Sequence, residues 1–210
     1  MLRMVGEVYK HVSIVAVPDN ESKSFASLNH FTNLVPCLDV ERPLLLFVSH
    51  GRVQSSNFCP PPRSSQTGPV HARFLAWMGR DFTVHAATDI TGFGLIGHAR
   101  EMAAGSGVSV RINSANVPLL AGAMDCVRAG FIPGGLNNNR DFAECLVSYG
   151  ESVPAEIRTI LFDPQTAGGL LLSVARSNAA ALLTALTDAG VPAVEIGEVL
   201  PPGKPLIQVV

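Results

Sequence analysis

The chain has 210 residues, 47% of them apolar and 15% charged, which is enough apolar material for the core of one sizeable domain, with or without a long extension. A net charge of −2 without a basic block gives no electrostatic footprint for nucleic acid or an anionic membrane. The longest apolar candidate, Pro43 to Val48, is too short to cross a bilayer. Glu7 and Lys10 interrupt the apolar residues at the N-terminus, contrary to a signal peptide, and a cytoplasmic location is expected. Cys37, Cys59, Cys126 and Cys145 are scattered without a C-x-x-C pair, which indicates neither a zinc site nor a disulfide framework.

In chain order, Val12 to Val17 reads as a strand, and Gln54 to Pro69 reads as an irregular loop containing Cys59-Pro-Pro-Pro62. Residues 1–70 are therefore expected to form a partly irregular extension, with an orderly domain over 71–210. His71 to Arg80 is a helix candidate, and Phe82 to Ala87 a strand running into Asp89. A helix follows over about 93–104 and is stopped by Gly105-Ser-Gly107. A strand over 108–112, an amphipathic helix from Leu119 to Ala129 and a loop from Pro133 to Asn139 come next. Pro154 to Leu161 reads as a helix with proline in its first position. A buried strand (Gly168 to Val174), an Ala/Leu-rich helix (Arg176 to Ala189) and strands at Val194 to Val199 and Leu206 to Val209 close the chain. Strands alternating with helices indicate an α/β (α+β) domain, a layered mixed sheet with flanking helices.

The stretch from Ala86 to His98 carries the most chemistry. A strand brings Asp89 to its end, a turn containing Thr91, Gly92 and Gly94 follows, and a helix opens. The first amides of a helix lack internal partners and sit at the positive end of its dipole, so such a turn suits phosphate. An aspartate beside it is placed to carry the Mg²⁺ that accompanies a nucleotide triphosphate. Asp89 is thus the candidate metal ligand, and Thr91, Gly92 and Gly94 the candidate phosphate contacts. The competing readings are a carboxylate that caps the turn, a threonine N-cap, and glycines kept for conformation.

Gly92 to Gly97 also fits G-x-G-x-x-G, but the segment after the next strand, Asn113 to Pro118, lacks the carboxylate that would hold a ribose. His98 and His85 read as structural histidines, Gly97 as a close-packing position of helix on sheet, and Cys126 and Cys145 as small core residues. Arg140 is a surface or capping residue with the alternative of a phosphate contact.

The second informative loop is Phe162-Asp-Pro-Gln-Thr-Ala-Gly-Gly169, a turn with uncharged donors and two glycines. Together, Asp89-Ile-Thr-Gly-Phe-Gly-Leu-Ile-Gly-His98, Ile132-Pro-Gly-Gly135 with Asn139-Arg140, and Asp163-Pro-Gln-Thr-Ala-Gly-Gly-Leu170 resemble the C-terminal domain of selenophosphate synthetase (selenide, water dikinase). The resemblance covers about residues 80–210, with Ala167 where serine is common. It implies ATP- and Mg²⁺-dependent phosphoryl transfer to selenide, giving selenophosphate, AMP and phosphate. It also implies that Asp89 is one magnesium ligand, and that a dimerising N-terminal half supplies a reactive Cys-Lys pair and further aspartates.

That half has no counterpart here. None of the three lysines (Lys10, Lys23, Lys204) adjoins a cysteine, and Asp19 and Asp39 sit in no metal motif. The expectation is a chain inactive alone, needing a homodimer or a complementing N-terminal half. The rival readings are a non-catalytic nucleotide- or phosphate-binding module that needs a partner subunit, and a sister-branch ATP-dependent enzyme with another acceptor.

Overall fold

The computed structural model describes residues 42–48, 81–166 and 168–210, together with the backbone of Val15–Ala16. The helix expected over His71 to Arg80, the loop at 54–69, and Cys37 and Cys59 lie outside the described residues. Among the described residues, eight strands form one sheet in the order β1-β3-β6-β2-β7-β4-β8-β5. They are β1 (Val15–Ala16), β2 (Leu44–Val48), β3 (Val84–Asp89), β4 (Ser109–Ile112), β5 (Val147–Tyr149), β6 (Leu170–Val174), β7 (Ala193–Leu200) and β8 (Ile207–Val209). All pairings are antiparallel except β4 with β8 and β5 with β8. The sheet is mixed and flanked by helices, as the alternation of elements indicates.

The helices are α1 (Gly94–Ser106), α2 (Ala123–Arg128), α3 (Gly134–Ala143), α4 (Ala155–Ile160) and α5 (Arg176–Asp188). Alternate residues of each strand point to opposite faces, and this divides the core in two. One face sends Leu45, Leu171, Val110, Ile112, Ile196 and Val209 into a cluster with Ile96, Ala99 and Met102 of α1, Leu136 of α3, and Phe162. The other sends Leu46, Val48, Leu170, Leu172 and Val174 against Leu182 and Leu186 of α5. Each large aliphatic or aromatic side chain so buried contributes about 1.5–3 kcal/mol.

Strand β2 comes from upstream of residue 71, yet it lies between β6 and β7, where Leu46 pairs with Leu172 on one side and Glu195 on the other. Its continuous apolar run suits a strand covered on both faces.

Four local expectations are corrected. Residues 134–139, read as loop, belong to α3: Pro133 precedes the helix in an extended conformation, and Leu136, Asn139 and Ala143 bury one face. Packing of that i, i+3, i+7 stripe outweighs the poor helix propensity of Gly-Gly and Asn-Asn-Asn. The helix expected over 119–129 is confined to Ala123–Arg128, because Gly122 takes φ 81° ahead of it and no residue of the helix is buried. Cys126 on that helix, and Cys145 in the turn after α3, are exposed and are not core residues. Pro154 is the N-cap of α4 rather than its first residue. Strand β5, only three residues at the sheet edge, left no sequence signal.

Candidate functional site

The site forms where β3 ends and β6 begins. Asp89 pairs with Leu170, so antiparallel pairing sets the β3–α1 turn beside the loop that leads into β6. Backbone bonds extend this pairing: Ile90 N–H donates to the Gly169 carbonyl at 2.8 Å, and Gly168 N–H to the Ile90 carbonyl at 2.8 Å. Gln165 N–H donates to the Thr91 carbonyl at 3.0 Å, and Ile96 N–H to the Leu161 carbonyl at 3.1 Å. Two motifs some 70 residues apart in sequence are thereby one structure. The third joins them through α3, where Asn139 Nδ2 donates to the carbonyls of Gly92 (2.8 Å) and Phe162 (3.0 Å).

Residues Thr91 to Gly94 form a turn closed by Gly94 N–H on the Thr91 carbonyl at 3.0 Å. Gly94 has φ 68°, and a Cβ there would lie 2.8 Å from the carbonyl carbon of Phe162 and 2.9 Å from the Asp163 oxygen. Both its handedness and the close approach of the second loop demand glycine. Its amide is spent on the turn. Gly92 and Phe93 sit exposed at the apex, and no hydrogen bond among the described residues uses either N–H. The Asp89 carboxylate, half-buried at the end of β3, likewise enters no hydrogen bond or ion pair among the described residues.

Thr91 does not cap α1. Phe93 is the N-cap, without a side-chain bond, and the Thr91 hydroxyl lies 3.1 Å from His98 Nε2. His98 is fully buried, and Thr91 N–H donates to its Nε2 at 3.0 Å. A backbone amide can only donate, so Nε2 is unprotonated and the imidazole carries its proton on Nδ1, which has no partner among the described residues. Burial holds the His98 pKa below the usual 6.5, against the opposing pull of Asp89 and Glu101. The structural reading of His98 stands and becomes specific, since this side chain holds the first amide of the turn. Gly97 serves a different contact from the one expected, since a Cβ there would meet the Phe93 side chain at 2.6 Å rather than the sheet.

On the second loop, burial raises the Asp163 pKa, partly offset by Gln165 Nε2 donating to its carboxylate at 2.6 Å. Pro164 packs against Gly135 of α3, where an added Cβ would come within 3.3 Å of the ring. Arg140 donates to Thr159 Oγ1 at 2.9 Å, with its guanidinium 5.9 Å from the Phe162 ring. An exposed aromatic pair that sequence reasoning missed borders the turn. Phe93 and Phe142 stack with centroids 6.0 Å apart, and the Arg100 guanidinium lies 4.1 Å over Phe142. Asn139 was legible only as part of a motif, because its role depends on a helix the sequence disguised.

Among the described residues no three His, Cys, Asp or Glu side chains group closely enough to hold a metal ion. No helix among them is long and apolar enough to cross a membrane. One uncommitted carboxylate beside two free amides still fits Mg²⁺ bound jointly with phosphate oxygens, because this ion is commonly held by one or two carboxylates plus phosphates and water.

The family description "AIR synthase related protein, C-terminal domain" matches residues 69–210, more than half of the chain. The chain belongs to this family. Curated relatives include a selenide, water dikinase of Pelobacter propionicus, 50% identical over 121 residues, which are 57% of this chain and 35% of that protein. Selenide, water dikinase 2 of Peptoclostridium acidaminophilum is 46% identical over 120 residues, 57% of this chain and 34% of the relative. The chain thus matches about a third of the length of these family members. Among solved structures, T. maritima PurL complexed with ATP is similar over 80% of this chain and 23% of that one, at 13% identity and a TM-score of 0.45.

Proposed function

We propose that residues 71–210, with strand β2, form the phosphate-side domain of a selenide, water dikinase. The reaction consumes ATP, selenide and water and yields selenophosphate, AMP and orthophosphate. The observation that carries this reading is the apex of the Thr91–Gly94 turn, where two adjacent exposed amides stand near an aspartate without a partner among the described residues. The relatives' names supply the acceptor. Gly92 and Phe93 donate to oxygens of the ATP phosphates, and Asp89 is one ligand of the accompanying Mg²⁺, which neutralises charge on the transferring group. Thr91 contributes through its backbone, its hydroxyl being held by His98. Phosphoryl transfer depends chiefly on positioning and charge neutralisation, and a domain offering one carboxylate supplies only part of both.

The remaining ligands and a Cys-Lys pair therefore come from a complementing N-terminal half, in a dimer or a partner chain, and the 210-residue chain alone does not turn over. Phosphorus NMR with Mg-ATP and selenide under anaerobic conditions tests this. ATP unchanged by the chain alone, with selenophosphate and AMP formed when a selenide, water dikinase N-terminal half is added, supports the reading. Turnover by the chain alone refutes the complementation requirement. A non-catalytic nucleotide-binding module is the second reading, favoured by the absence of any cysteine next to a lysine. Its mark is nucleotide binding without product in both arms.

A further inference from the structure

We propose that Asn139 is the positioning residue that keeps the phosphate-binding amide of Phe93 facing outward; this rests on the phosphate-binding reading above. In a trans peptide the C=O and the following N–H point in opposite directions, so whatever holds the carbonyl aims the amide. Two peptide planes form the apex. In the first, the Thr91 carbonyl is held from within by the amides of Gly94 and Gln165, both at 3.0 Å, and Gly92 N–H is directed away from them. Among the described residues, backbone alone secures this plane.

The second plane joins Gly92 to Phe93 and is the central peptide of the turn. Phe93 has φ −86° and ψ −2°, the geometry of the third residue of a type I turn. Rotating the central peptide would convert the turn toward type II and exchange the C=O and N–H directions. The resistance to that rotation lies at Phe93, which a type II turn would carry to a positive φ, and not at Gly92, where nothing lies within 4 Å of an added Cβ; the bond from Asn139 adds to this local preference. Among the described residues the only partner of the Gly92 carbonyl is Asn139 Nδ2, at 2.8 Å.

Asn139 can do this because it is itself fixed. It is 7% exposed, and its other amide hydrogen is given to the Phe162 carbonyl at 3.0 Å, on the loop that presents Asp163-Pro-Gln. Its two hydrogens are thus shared between the two loops, and the orientation of the central peptide is tied to the placement of the second loop. No aspartate or leucine can reproduce two donated bonds, although both approximate its size.

The test is ¹⁵N NMR of the full chain titrated with Mg-ATP, for the wild type and for Asn139→Leu and Asn139→Ser, with thermal unfolding followed in parallel. In the wild type the amides of Gly92 and Phe93 both shift. In a folded variant the Gly92 amide still shifts, the Phe93 response is reduced, and affinity falls about tenfold, the equivalent of one hydrogen bond to a charged group. A Phe93 shift retained in a folded variant, with affinity within about twofold, overturns the proposal. Should both variants fail to fold, the wild type decides: slow solvent exchange of both Asn139 side-chain protons supports the assignment, and exchange at the rate of a free amide overturns it. Neither amide shifting in the wild type would instead refute the phosphate-binding reading itself.

Discussion

Helices α1 and α5 are both 13 residues long, both follow a strand of the same sheet, and neither has a side-chain N-cap. They differ in what borders their first amides. At α5, Ala175 N–H donates to the Thr83 carbonyl at 2.9 Å, and Thr83 N–H returns to Asn178 Oδ1 at 2.9 Å, which ties the helix start to the residue ahead of β3. Arg176 is committed to Glu198 at 3.2 Å and to the Arg42 carbonyl at 3.1 Å. At α1, the internal bonds of the turn hold carbonyls inward, and among the described residues the amides of Gly92 and Phe93 have no partner beside Asp89. A helix N-terminus alone does not make an anion site; the arrangement of the preceding peptides decides it.

The contrast between the two helix starts is most vulnerable at Gly94. Replacing it with alanine forces a Cβ into Phe162 at a left-handed φ, and about 3 kcal/mol of stability should be lost, measurable by urea unfolding. Little change in the midpoint would mean that the two loops do not meet as described. Asp89→Asn isolates the chemical side. Because the carboxylate has no internal partner among the described residues, stability should hold while Mg²⁺-dependent nucleotide affinity drops about tenfold, read by titration calorimetry with and without Mg²⁺.

His98 gives a pH signature that α5 lacks. Its folded pKa lies below the unfolded 6.5, so its contribution to stability is complete above about pH 6.5 and is lost as the pH falls below that value toward the folded pKa. His98→Gln should remove that part of the pH dependence of unfolding, and an unchanged slope would place the proton elsewhere. The smallest effect belongs to Arg176→Ala, whose ion pair with Glu198 is partly exposed: less than about 1 kcal/mol, with nucleotide binding unaltered.

Most of the sheet was readable in the sequence because its strands are apolar runs bounded by turn residues. Leu170–Val174 and Ile207–Val209 appear close to where the pattern puts them. Gly107, at φ 64°, ends α1 as the Gly-Ser-Gly segment implies. Helix α3 was illegible because Pro-Gly-Gly and Asn-Asn-Asn are loop formers by local propensity, and only the burial of Leu136, Asn139 and Ala143 makes them helical. With α3 hidden, the role of Asn139 was hidden as well. The Thr91–His98 bond escaped for a related reason. A seven-residue separation across a turn and the first helical residues has no fixed geometry until the turn is built. Asp89 and Gly92 needed no tertiary information to stand out, since a strand end, a glycine turn and a helix start coincide there.

If the start of α1 receives the nucleotide phosphates and that of α5 does not, the backbone amide spectrum of the chain will separate them during titration with Mg-ATP. Concerted shifts at Gly92 and Phe93, with Arg176 and Ser177 unmoved, are the expected result. Shifts at the start of α5, or none at either helix, would contradict it.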